Sequence, residues 1–122
     1  MTASARRDGQ EATVFADPWV APGYEVLQGI VDKWAPLVIC ALRKGPRHYG
    51  ELHRALGTVS KKMLTQTLRK LEQYGVVERR AEETVPRTVE YSLTPLGESL
   101  TIPLEGLFIW GESHLAEMGP PK

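Results

Sequence analysis

The chain has 122 residues, enough for one core and too few for two ordinary domains. Its 42% hydrophobic and 25% charged residues are ordinary for a globular protein, and its longest continuous apolar run, Pro36 to Leu42, is far too short to cross a bilayer, so no membrane span is expected. The formal charge is zero, but it is unevenly spread: Arg43 to Arg87 holds eleven basic and five acidic side chains, a surplus of six, and the rest carries the opposite six.

Residues 1–18 have few large apolar side chains and no period, which predicts a mobile arm ahead of one domain over 19–118 and a tail at 119–122. Met1–Arg7 leads into Asp8, Gly9, Gln10 and Glu11, not into an apolar segment, so no secretory signal is expected. The single cysteine, Cys40, leaves no internal disulfide and fits a reducing, cytoplasmic setting.

From Pro22 the spacing turns helical. Tyr24, Leu27, Ile30 and Val31 form one stripe, interrupted by Asp32 and Lys33. A second helix is predicted from about Lys33 to Arg43, apolar nearly all round and therefore in the core, with Pro36 in its first turn and Gly45-Pro46 after its end. A third short helix spans about Tyr49 to Leu56, with Tyr49, Leu52, Ala55 and Leu56 on its buried side. After Gly57-Thr58-Val59, Ser60 caps a fourth helix, Lys61 to Gln73, which Gly75 closes. Two short helices joined by a tight Gly-containing turn are the helix-turn-helix signature.

Beyond Gly75 the period changes to two. Val76–Ala81 and Thr88–Leu93 read as a β-hairpin joined by Glu82–Arg87. Thr94-Pro95 opens a last helix that continues to about Met118, with Pro103 expected to kink it. The predicted architecture is mainly α with a small β-hairpin: a winged helix-turn-helix flanked by N- and C-terminal dimerisation helices.

The fourth helix carries the chemistry. Leu64, Leu68 and Leu71 cluster on one side of its wheel, while Lys62, Thr65, Gln66, Arg69 and Gln73 cluster opposite. Arg can contact guanine with two hydrogen bonds, and Gln can do the same to adenine. Ser60, Lys61 and Lys62 sit at the helix start, where free N–H groups and the helix dipole favour phosphate. Arg79, Arg80 and Arg87 make the hairpin basic, suited to flanking backbone or minor groove, with Glu82 and Glu83 expected to point away. Arg47 and His48, ahead of the third helix, are further phosphate candidates. The predicted partner is double-stranded DNA with a two-fold operator. A winged helix used for protein contact is the alternative, and the polar, basic face of the fourth helix argues against it.

The last helix carries Glu98, Glu105, Glu112 and Glu117, and an apolar band broader than one small core needs. With the first helix it predicts a homodimer interface built from Tyr24, Leu27, Leu100, Leu104, Leu107, Phe108 and Trp110, which would set two recognition helices on half-sites about one DNA turn apart. No enzyme is expected. His48, His53 and His114 are scattered, with no Cys or second His at metal-ligand spacing, so neither metal nor cofactor is expected. No nucleophile motif, phosphate loop or dinucleotide fingerprint is present.

The stretch from Asp32 to Trp110 resembles the HxlR family of bacterial winged-helix regulators. The likeness rests on Asp32-Lys33-Trp34, on Gly45 to Leu52, on Val59 to Leu68, and on Leu71-Glu72 with Gly75 to Arg79. It continues through Val85-Pro86, Val89 to Gly97 and Trp110. The resemblance implies a cytosolic homodimer that binds operator DNA as repressor or activator, with the fourth helix in the major groove. Several members sense oxidants through a Cys-Pro pair just before the first helix; the matching pair here is Ala21-Pro22, so that thiol switch is not expected. Cys40 lies in an apolar helix, where a thiolate forms poorly, and reads as a small core residue. A small-molecule effector near the dimer helices is a candidate partner, with Trp19, Tyr24, Trp34, Phe108 and Trp110 available to line its pocket.

Overall fold

The computed structural model describes residues 13–119. Helices α1 (Tyr24–Ile30) and α2 (Ala35–Leu42) lead to a two-residue strand, β1 (Arg47–His48), and then to α3 (Tyr49–Leu56) and α4 (Lys61–Gln73). Strands β2 (Val77–Glu82) and β3 (Thr88–Leu93) follow, then α5 (Pro95–Ser113). Single 3-10 turns occupy Val14–Ala16, Ala21–Gly23 and Leu115–Glu117. Of the expected arm and tail, residues 1–12 and 120–122 lie outside the described residues. Within the stretch read as arm, the Phe15 ring packs tilted on Tyr24, centroids 5.0 Å apart.

Asp32 does more than interrupt a stripe. Its Oδ1 accepts the N–H groups of Trp34 (3.0 Å) and Ala35 (2.8 Å), which satisfies the start of α2 and places that start two residues later than expected. Its other oxygen pairs with Lys70 on α4. Burial pushes the Asp32 carboxyl up, but the Lys70 ammonium and the two N–H groups outweigh it and hold the acid below its ordinary value of 3.8. One acidic side chain therefore both seeds α2 and ties it to α4.

The core is a single cluster in which Val38, Ile39 and Leu42 of α2 meet Leu52 of α3 and Leu64, Leu68 and Leu71 of α4. Val59, Val76, Val77, Tyr91 and Leu104 close it. Each fully buried Leu contributes roughly 2 kcal/mol of transfer free energy, so the three leucines anchor α4 firmly. Helix α2 is less enclosed than its composition suggests: Leu37 is exposed and Cys40 half-buried. Ala55, expected on the buried side of α3, is also exposed.

A tight turn links α4 to the sheet. Gly75 adopts φ +77°, and the bonds Val76 N–H to Leu71 O and Gly75 N–H to Glu72 O, both 2.9 Å, close the helix. Thr94 stitches the next helix to that turn. Its N–H donates to Val76 O at 3.0 Å, its hydroxyl donates to Gly75 O, and its Oγ1 accepts Gly97 N–H at 3.1 Å. The approach is so close that a Cβ on Gly97 would lie 2.2 Å from the Val76 carbonyl oxygen.

The sheet has three antiparallel strands in the order β1-β3-β2, one more than the two-stranded wing expected from sequence. Arg47 and His48 pair with Tyr91 and Glu90, and Val77 through Glu82 pair with Leu93 through Thr88. Helix α5 runs unbroken through Pro103 and ends at Ser113, short of the Met118 expected. There His114 Nδ1–H donates to Trp110 O at 2.9 Å, and its ring stacks on the indole. Among the described residues no helix is long and apolar enough to cross a membrane.

Candidate nucleic-acid interface

Helix α4 begins as its sequence dictates. Ser60, in extended conformation, accepts the Met63 N–H at 3.0 Å and so caps the first turn. Because Leu64, Leu68 and Leu71 hold one side in the core, the 3.6-residue period turns Lys62, Gln66, Arg69 and Gln73 outward, and all four are exposed. Lys61 is exposed beside the cap. Thr65 is half-buried, and its hydroxyl lies 3.1 Å from the Tyr49 hydroxyl, which also donates to Lys61 O at 3.0 Å. Tyr49 therefore fastens α3 to the first turn of α4 and fixes the angle between the two helices. Its apolar ring fits the buried side of α3; only the fold shows that its hydroxyl reaches across the turn.

The wing carries its arginines on different faces. Residues paired across antiparallel strands share a face. Arg80 thus lies with His48, Glu82 and Glu90, whereas Arg79 lies with Arg47 and the buried Tyr91. Arg79 and Arg80 are exposed, and so is Arg87 in the loop. Arg47 is half-buried in β1. His48 is engaged at the wing base: its Nε2 lies 2.9 Å from Glu82 Oε1 and its Nδ1 3.4 Å from Glu51 Oε1. The Glu82 hydrogen bond raises the His48 pKa above its ordinary value, and Glu51 acts in the same direction. Glu82 is held low by the Thr88 hydroxyl and by His48, and Glu51 by the His48 backbone N–H. Glu82 thus faces inward onto His48, although it had been expected only to point away.

The expected interface residues divide. Leu104 is buried in its own core, 5% exposed, and Leu100 packs against that core, so both serve the protomer first. Leu27, Leu107, Phe108 and Trp110 stand 48–58% exposed, and Tyr24 is half-buried. A groove of about 440 Å³ between α2 and α5 is lined by Cys40, Arg43, Lys44, Phe108 and Ile109 among others; of the aromatic set expected around an effector, Phe108 lines it. Burial raises the Cys40 thiol above its ordinary pKa, with Arg43 opposing.

Three helices, a β1 strand, a capped fourth helix and a two-stranded projection are the parts of a winged helix-turn-helix protein. Residues 29–118 match the family model described as HxlR-like helix-turn-helix, and the chain belongs to that family. It is 42% identical over 109 residues to YtfH of Escherichia coli, named an uncharacterized HTH-type transcriptional regulator, covering 89% of this chain and 85% of that one. It is 46% identical over 90 residues to YkvN of Bacillus subtilis, similarly named, covering 73% of this chain and 76% of that one. Among solved structures it is similar to the ytfH regulator of Salmonella typhimurium, with TM-score 0.71, 43% identity, and 79% of this chain and 86% of that one covered. It is also similar to the redox regulator HypR in its oxidised form, with TM-score 0.70, 35% identity, and 75% and 95% covered. The chain is a DNA-binding transcriptional regulator.

Proposed function

We propose that this regulator reads a two-fold operator as a cytoplasmic homodimer, with α4 in the major groove of each half-site and the wing on flanking backbone or minor groove. The carrying observation is the exposed row Lys62, Gln66 and Arg69 on a helix whose leucines are locked in the core. Arg69 and Gln66 have the donors and acceptors to read guanine and adenine edges, Thr65 stands beside them with its hydroxyl already engaged by Tyr49, and Ser60, Lys61 and Lys62 hold phosphate at the helix start. Arg79, Arg80, Arg87 and the half-buried Arg47 supply backbone contacts from the wing side.

The exposed apolar side chains of α1 and α5, Leu27, Leu107, Phe108 and Trp110, support pairing of two copies through these helices. The α2–α5 groove is a candidate seat for a small-molecule effector, and the depressed acidity of Cys40 argues against a thiolate sensor there. Selecting bound fragments from random duplex DNA tests the reading. An inverted repeat with half-site centres about one helical turn apart is expected, with affinity falling steeply as salt rises. Recovery of no common sequence, or binding indifferent to salt, contradicts it and favours protein contact.

A further inference from the structure

The wing base gathers metal-binding chemistry that no spacing in the sequence announces. His48 ends β1, Glu82 ends β2 and Glu90 lies within β3, and sheet pairing brings one donor atom from each to within 4.8 Å of the others. All three side chains are half-buried. Two donors on one zinc-like ion stand about 3 to 3.5 Å apart, given metal–ligand bonds of about 2.0–2.2 Å, so small side-chain rotations suffice to close a three-ligand site. Outer partners are also in place. Glu51 Oε1 lies 3.4 Å from His48 Nδ1 while Nε2 lies 2.9 Å from Glu82 Oε1, and the Thr88 hydroxyl donates to Glu82. A carboxylate behind a ligating histidine is the usual outer-shell arrangement. Glu82 and Glu51 both act on the imidazole and Glu90 lies within reach of it, while Arg80 across from Glu90 and Arg47 beside Glu51 offset part of that negative charge.

We propose that His48, Glu82 and Glu90 form a site for a divalent transition ion of zinc type, and that the bound ion fastens the wing to the start of α3 and tightens DNA binding. The ion arm rests on geometry alone; the DNA arm rests on the function proposed above. An ion at this point joins all three strands and the residue preceding α3, so wing and helix-turn-helix move as one body. It also cancels the charge of two carboxylates that repel phosphate. Imidazole with carboxylate favours zinc over magnesium or calcium, which prefer all-oxygen sites.

Titration of tag-free, chelator-treated protein with Zn2+ by calorimetry tests the site. Wild type is expected to bind one ion per chain. Glu82→Gln and Glu90→Gln, each checked for native circular dichroism, are expected to weaken it at least about tenfold, and Glu51→Gln by about 10- to 100-fold or less. His53→Gln should bind as wild type does. Zinc binding that is absent, or unchanged in both Glu82→Gln and Glu90→Gln, overturns the site. On a selected DNA fragment Zn2+ should raise the affinity of wild type several-fold and leave Glu82→Gln unaffected; an equal response in both overturns the coupling. Zinc binding with the expected variant pattern in a protein that binds no DNA leaves the site standing and overturns the DNA reading.

Discussion

Removing a single oxygen tests whether Tyr49 sets the recognition geometry. Tyr49→Phe deletes the hydroxyl that donates to Lys61 O and meets Thr65 Oγ1, and leaves the ring and its packing in place. Each of two neutral hydrogen bonds is worth about 0.5–1.5 kcal/mol net, and their partial exposure puts them at the low end, for a total of about 1 kcal/mol. For a chain of this size that lowers Tm by about 4 °C. Thermal and urea unfolding of Tyr49→Phe, Thr65→Val and the double variant measures the shared part directly. The double variant should lose less than the sum of the singles. Because α4 is loosened rather than stripped of a base contact, DNA affinity should drop by a similar factor on every sequence. A Tm within about 1 °C of wild type, with strictly additive singles, would mean that both hydroxyls face water and that the leucines alone set the angle.

Other perturbations probe separate parts of the fold. Gly97→Ala places a methyl 2.2 Å from the Val76 carbonyl oxygen, a backbone atom that cannot swing away, and should cost about 3 kcal/mol or more in urea unfolding; a loss under about 1 kcal/mol would mean that α5 slides freely against the turn. Since the Asp32 acid is held below its ordinary 3.8, its pairing stabilises the fold at pH values above that figure, and this contribution is lost as pH falls through the folded-state value. The stability gap between wild type and Asp32→Asn should therefore be full at pH 7 and shrink below about pH 4, and a gap independent of pH would rule out the pairing. Leu107→Glu places a charge on a side chain that is 58% exposed in the single chain, so on the pairing proposed above light scattering should report monomers and Tm should fall only by the stability that pairing supplied. A variant that stays dimeric would put the interface elsewhere.

The parts of the fold written in local signals were legible from sequence. Ser60 and Gly75 bracket α4 because a cap and a left-handed glycine are backbone devices that act within a turn of their own position. The two faces of that helix followed from leucine spacing alone. What stayed hidden depends on partners distant in the chain. Strand β1 has two residues and exists only because β3, more than forty residues on, pairs with it. Pairing of both β1 and β2 with β3 sets His48 beside Glu82 and Glu90, a three-donor cluster from residues with no motif spacing. Periodicity placed Leu104 in the apolar band read as a dimer interface, whereas the chain's own core buries it, a distinction that spacing along one helix does not carry. Asp32 and Lys70 look like solvated charges until α2 and α4 cross. The local signals and the core agree at α4, which is why the candidate interface was legible in advance while the wing base was not.

In the function proposed above, the outward face of α4 reads base edges while its start holds phosphate. Affinities of Arg69→Ala and Lys61→Ala for the selected operator and for every single-base variant of it, measured across a salt series, separate these two roles. Arg69→Ala should lose about 1–3 kcal/mol on the operator and lose its preference at one base pair of each half-site. Lys61→Ala should weaken all sequences alike and reduce the salt slope by about one. Equal, sequence-independent losses from both substitutions, or none from Arg69→Ala, would contradict it.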